Sequence, residues 1–231
     1  MQTRNPRFSN AAGFSLPELM IAMTITLVLM VVASTLLASS LNVRSRENQR
    51  TDAIADAQRA LNNMTREIAN SGFGLNDNGI VAADSSVSSI RVRANLNATD
   101  QETTSNAASD RDEDIKYLLY TDTASSYIVR LDVNTASQEM ILANRVDALT
   151  IRYYADRVYY TSASCDISNV QDAAGNAVSE VAQKSSAKYV VISLCVTLPA
   201  VSTPGAPGYQ PASRVQLTSD ATLNNADLVN Y

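Results

Sequence analysis

The chain has 231 residues and a net charge of −5, with 18 lysines and arginines against 23 acids. That balance, without any basic cluster, argues against nucleic acid as the main partner. The absence of histidine excludes Ser-His-Asp and Cys-His catalysis and any histidine-ligated metal.

Residues 1–13, MQTRNPRFSNAAG, are polar and carry Arg4 and Arg7 with no acid. From Leu19 through Val43 no charged residue occurs. Leu19 to Leu41 alone is 23 residues, roughly 34 Å as a helix, enough to cross a bilayer core. A secretory signal places its small-residue cleavage site after the apolar segment. Here Ala11, Ala12 and Gly13 come before it, so a cut at Gly13 would leave the apolar helix on the product. Glu18 stands at the mouth of the run, where an ionised carboxylate is costly and usually kept for a purpose. Taken alone it reads equally as an acid at headgroup level beside a helix N-terminus, where the helix dipole favours it. Orientation is undecided by charge: Arg4 and Arg7 on one side face Arg44, Arg46 and Arg50 on the other.

Beyond Leu41 the pattern becomes amphipathic. Ile54, Ala57, Leu61, Met64 and Ile68 recur at helical spacing, with charged and amide residues between them. No proline or glycine interrupts residues 18–71, and Ser71-Gly72 supplies a stop. The spacing predicts one helix of about 54 residues, roughly 80 Å long. Its first half is apolar all round, and its second half carries a single stripe suited to packing on its own domain. Five positions are too few to favour a coiled coil.

After Gly72, strand patterns take over: Ser88 to Ala94, Ile115 to Thr121, Tyr127 to Val133, Val146 to Tyr154, Lys188 to Leu198 and Arg214 to Thr218. They predict an α+β fold, with an antiparallel sheet packed on one side by the helix. Three segments read as loops: Asn95 to Asp114, Cys165 to Ala187 and the proline-rich Pro199 to Pro211. The acids of residues 110–114 could hold calcium, but they lack the ligand spacing and glycine of a calcium loop, which favours a solvated loop. The tyrosine doublets Tyr153-Tyr154 and Tyr159-Tyr160 read as half-buried sheet residues rather than a stacking or glycan-binding surface. If this part of the chain is exported to an oxidising space, Cys165 and Cys195 form a disulfide; the alternative is two unconnected buried thiols.

Gly13-Phe14-Ser15-Leu16-Pro17-Glu18, followed by the apolar run, resembles the prepilin motif of type IV pilins and type II secretion pseudopilins. Pro17 stands where that family often has another apolar residue, and near a helix start it is tolerated. The resemblance implies that a prepilin peptidase cuts between Gly13 and Phe14 and methylates the new amine of Phe14. It also implies that Glu18 pairs with the amino terminus of a neighbouring subunit, which would offset the cost of burying either charge and set axial register. It divides the chain into a leader (1–13), a membrane or filament-core half-helix (14–43), an amphipathic half-helix (44–71) and an exported β-rich domain with a C-terminal disulfide region (72–231). RALNNMTREIANSGFG and the strands around YIVRLDV resemble minor pilins of the PilW type and related J-type pseudopilins.

The function implied is a minor pilin that helps begin or cap a type IV pilus, with a type II secretion pseudopilin as the alternative. A single-span anchored receptor or enzyme is less supported, because no catalytic constellation is evident. The expected partners are other pilins and minor pilins, the prepilin peptidase, the inner-membrane assembly platform and, before assembly, membrane lipid; no nucleic acid, metal or cofactor is expected. The expected location is the bacterial inner membrane, single-pass with the domain in the periplasm, and then the pilus at the cell surface.

Overall fold

The computed structural model of the chain describes residues 14–97, 108–123, 125–135, 139–206 and 208–226. Residues 1–13, expected to be a leader and including Gly13, and residues 98–107 of the expected 95–114 loop lie outside them. One long N-terminal helix and a set of antiparallel sheets make up the fold. Helix α1 spans Leu16–Ala69, 54 residues, and ends where Gly72 takes φ +79° and Ser71 donates its hydroxyl to the Asn78 carbonyl at 2.6 Å.

Among the described residues nine strands follow: β1 (Ser89–Arg93), β2 (Asp114–Thr121), β3 (Ser126–Asp132), β4 (Glu139–Asn144), β5 (Val146–Tyr154), β6 (Tyr159–Ala163), β7 (Asp166–Gln171), β8 (Tyr189–Leu198) and β9 (Ser213–Thr222). They form not one sheet but three: β1-β2-β3-β4, β5-β8-β9 and the hairpin β6-β7. The six expected strands are present, and β9 runs four residues past its expected end. Strands β4, β6 and β7 were not anticipated. Strand β7 lies inside the stretch expected to be loop from Cys165 to Ala187. Between β4 and β5 a single residue, Arg145 at φ +61°, turns the chain from the first sheet into the second.

The chain divides into two compact units, Met1–Arg46 with Val201–Gln210 and Glu47–Ala200 with Pro211–Tyr231. In the second, Ala53, Ala57, Ala60, Leu61, Met64 and Ile68 of α1 join one core with Ile90, Tyr117 and Ile128 of the first sheet and Ile151, Ile192 and Leu194 of the second. The buried stripe differs from the expected one at its start, because Ala53 is buried while Ile54 is half-exposed. Three alanines on the inner face let the helix backbone approach the strands closely.

Strand β8 explains its own sequence. It is the middle strand of its sheet; Val190, Ile192 and Leu194 face the helix-side core, and Tyr189 and Val191 meet a second cluster under the β6-β7 hairpin. A strand covered on both faces reads as a continuous apolar run rather than an alternating one.

Candidate functional site

The amino end of α1 is built by local sequence. Leu16 is the first helical residue, which makes Ser15 the N-cap and Glu18 the third residue of the first turn. The Ser15 carbonyl accepts the Leu19 N–H at 3.1 Å. Glu18 reaches back, its Oε2 accepting the Ser15 N–H at 3.5 Å and the Ser15 hydroxyl at 3.4 Å. Ser-x-x-Glu is the capping-box spacing, in which the acid satisfies an amide that the helix leaves orphaned. The sequence signal was there in Ser15, three residues before Glu18. Glu18 therefore has a local task at the helix start. Phe14, just before the cap, is 83 % exposed.

From Leu16 to Leu37 the helix exposes apolar side chains on every face, none of them buried against the rest of the chain. It is long and apolar enough to cross a membrane. Its hydroxyls do not spoil that surface. Thr24 donates to the Ile21 carbonyl at 2.8 Å, Thr26 to Ala22 at 2.7 Å, Ser34 to Met30 at 2.7 Å and Thr35 to Val32 at 2.8 Å. Each polar hydrogen is returned to the helix's own backbone, so the segment can enter an apolar medium without an unpaired donor. Among the described residues Glu18 is the one charged side chain between Phe14 and Val43.

The β-rich unit holds many of its polar groups in structural pairs. Cys165 and Cys195 are joined by a disulfide with Cα atoms 5.5 Å apart, tying the turn of the β6-β7 hairpin to the middle of β8. The 110–114 acids do not converge on a common centre. Glu113 is buried and accepts the amides of Leu96 at 2.8 Å and Asp110 at 2.9 Å. Asp114 takes both Nε and Nη2 of Arg91, at 2.8 and 2.7 Å. Asp112 takes Arg130 at 2.8 Å. Among the described residues no group of three or more histidine, cysteine or acidic side chains is arranged to hold a metal ion.

A groove of about 750 Å³ opens between the end of α1 and this turn, with Arg66, Arg93 and Arg111 beside Glu67 and Asp132. Its floor is a bridge: Glu67 of α1 accepts the Tyr117 hydroxyl at 2.5 Å and Nε of Arg130 at 3.1 Å. Burial, reinforced by the Glu67 charge, pushes the Tyr117 phenol far above its ordinary range. The charges of this groove neutralise one another, and no nucleophile with an adjacent base stands in it.

The tyrosine doublets are framework. Tyr153 and Tyr154 are buried. The Tyr153 hydroxyl donates to the Ser86 carbonyl at 3.2 Å. Tyr160 donates to Asp220 at 3.2 Å, and Tyr189 to the other oxygen of that carboxylate at 2.6 Å. Tyr159 is the exposed member, at 58 %.

Residues 8–34 match the model of the prokaryotic N-terminal methylation motif. That stretch contains Gly13, Phe14 and Glu18 and ends inside the apolar run. No curated protein matches the chain. Among solved structures the chain is similar to a type IV-like pilin from Thermus thermophilus, at 13 % identity and a TM-score of 0.42, covering 75 % of this chain and 97 % of that one.

Proposed function

We propose that the chain is a minor pilin, a structural subunit that helps initiate or cap a type IV pilus. In this reading residues 1–13 are a leader, removed by a prepilin peptidase between Gly13 and Phe14, and the new terminal amine of Phe14 is methylated. Residues 14–43 anchor the subunit in the inner membrane until the assembly platform draws them into a filament. Residues 44–71 carry the 72–231 domain, which faces the periplasm before assembly. The observation that carries the reading is a helix end with one carboxylate, Glu18, in a surface that is otherwise apolar on all sides, inside a methylation motif.

A helix with that surface needs lipid or other helices around it. A lone carboxylate moved into a bundle of such helices needs a cation, and the cut after Gly13 creates one on every subunit. Pairing Glu18 of one copy with the Phe14 amine of its neighbour leaves neither charge unmatched and rejects any register that does. No catalytic step belongs to this role: the protein works by being inserted, cut and packed.

Mass spectrometry of the mature amino terminus tests it. N-methyl-Phe14 is the expected finding, and an intact Met1 refutes it. Deleting the gene should then reduce surface pili. Loss of secreted enzymes with pili intact would assign the chain instead to a type II secretion pseudopilus.

A further inference from the structure

The connection between β8 and β9 shares the neutrality of the apolar run at the start of α1. Residues 199–213 contain no acid and no base, although 18 % of the chain is charged. Its central part belongs with the first half of α1 rather than with the strands it joins. The base is closed by Val201 and Gln210, which exchange both backbone hydrogen bonds at 3.0 Å. Beside it, Gly208 and Gln210 lie directly on the helix. Gly208, at φ +78°, is so close that a Cβ on it would stand 3.3 Å from the Ser39 Cα and from Nδ2 of Asn42. Arg46 is buried to 6 % exposure and donates from Nη1 to the Gln210 carbonyl at 3.2 Å.

The position along the helix gives this packing its meaning. The uncharged run ends at Val43 and the first cation after it is Arg44. Ser39 lies four residues earlier, about one turn or 6 Å inside that end. A bilayer around the apolar run therefore brings its headgroup layer up to the level of residues 201–210. The segment is composed for such a layer. It has no charge to desolvate and no acid to be repelled by anionic lipid. Its prolines and glycines keep it irregular, which a hydrated interface tolerates and a hydrocarbon core does not. Tyr209 supplies the amphipathic ring that favours the boundary between the two. Ser202, Thr203, Pro204 and Gly205 are exposed.

We propose that residues 201–206 and 208–210 form a lipid-facing rest, which touches the headgroup layer and fixes how deeply the anchored subunit sits before assembly. The inference depends on the membrane anchoring proposed above and adds a second contact to it. The helix provides insertion, and the rest provides a stop.

The chain has no tryptophan, so one introduced indole reports from one place. Three single-tryptophan variants of the full chain, L27W in the apolar run and T203W and Y209W in the rest, are reconstituted into vesicles of phosphatidylcholine and phosphatidylglycerol. Part of the lipid is brominated either just below the headgroup or near the chain ends. The expected result is loss of L27W emission with deep bromine, and loss of T203W and Y209W emission with shallow bromine but little with deep. If L27W is quenched while T203W and Y209W are not in either lipid, the rest does not touch the membrane and the proposal falls, with the anchor intact. If T203W and Y209W instead become shielded only in assembled filaments, the surface belongs to a neighbouring subunit and the lipid role is refuted. If L27W itself is unquenched, the anchoring reading fails and takes this inference with it.

Discussion

Glu18 has one contact in the structure and a second proposed for the filament, and three substitutions separate them. In the isolated chain it closes a capping box with Ser15, through contacts of 3.4 and 3.5 Å. These are long for hydrogen bonds, so the box belongs at the weak end of the usual range, about 0.5 kcal/mol. Half a kilocalorie per mole is roughly a twofold change in an equilibrium. In a filament the same carboxylate would match a neighbour's amine, and removing one partner of a buried pair costs about 3–5 kcal/mol. At 1.4 kcal/mol per decade that is a loss of roughly two to three and a half orders of magnitude in incorporation. Glu18→Gln keeps a capping-box side chain but removes the charge. Ser15→Ala removes the cap and keeps the charge. Glu18→Ala removes both. The assay is immunoblotting of sheared surface filaments against the cell-bound pool, with leader removal checked by mass spectrometry in each strain. S15A should incorporate within a few-fold of wild type, whereas E18Q and E18A should both be processed and both be absent from filaments. If E18Q assembles like wild type while S15A fails, helix capping rather than charge pairing is what Glu18 does, and the register argument is wrong.

Reducing the Cys165–Cys195 bond opens a loop of 30 residues, which by chain entropy costs about 3.6 kcal/mol. A thermal melt of the full chain in mild detergent should fall by roughly 10 °C on adding reductant, and an unchanged midpoint would show that packing alone holds the hairpin on β8. Gly79→Ala and Gly175→Ala form a matched pair, since both residues sit at positive φ, +74° and +85°. A Cβ at Gly79 would collide with the Arg93 carbonyl, the Gly72 nitrogen and the Ser71 hydroxyl, while at Gly175 nothing lies within 4 Å. Gly175→Ala should cost only the backbone penalty of about 1–2 kcal/mol, and Gly79→Ala at least about 3 kcal/mol; equal denaturation midpoints would contradict this packing. Alkali should unfold the β-rich unit abruptly. Burial, then the Asp220 charge, raises the Tyr160 phenol to about 12, burial raises Tyr154 to about 12, and burial pushes Tyr117, Tyr153 and Tyr189 higher still. A phenol whose folded pKa is raised contributes stability fully below its unfolded value near 10 and loses it as pH climbs from there toward 12. Tyrosinate absorbance from these five should therefore appear together with loss of near-ultraviolet circular dichroism, not as a gradual titration of the folded protein.

How much of this the sequence carried depends on how local the cause was. Helix α1 was legible end to end, because an unbroken periodic run and a Ser-Gly stop are local signals. Strand β5 matched its expected bounds, since both its alternation and its apolar ends are intrinsic. Strands β4 and β7 were not legible. Met140 and Ile141 of β4 are 55 % exposed, so the segment lacks the buried alternation that marks a strand, and its pairing with β3 is what makes it one. The pattern of β7, DISNVQ, is polar, and its strand character comes from β6 across the hairpin and from the disulfide at its turn. The split into separate sheets follows from Arg145 adopting a left-handed conformation between two strands that would otherwise run on. That conformation is favoured in glycine or asparagine and disfavoured in arginine, so no propensity argument would place it there.

The site divides along the same line. The methylation motif around Phe14 and Glu18 was legible because a motif is a string, and a string survives without a structure; the roles of the two residues remain part of the proposal. What the structure adds is nonlocal. Residues 201–210 are separated from Ser39 by more than 150 positions, and a proline-rich, uncharged connection looks in sequence like nothing more than a turn. Only its seat on the helix turns composition into position. The same segment that lacks charge also packs across the end of the apolar run, Gly208 against Ser39 and Asn42 and Gln210 against Arg46, and neither property predicts the other. A loop selected merely to join β8 to β9 gains nothing from being neutral, since solvent-exposed connections ordinarily carry charge at no cost. Neutrality along with placement at the boundary is what a lipid contact would require. Replacing Thr203 by aspartate should accordingly leave the thermal midpoint unchanged while shifting the chain's headgroup-level quenching outward, and a fall in the midpoint would mean that the neutrality serves the fold instead.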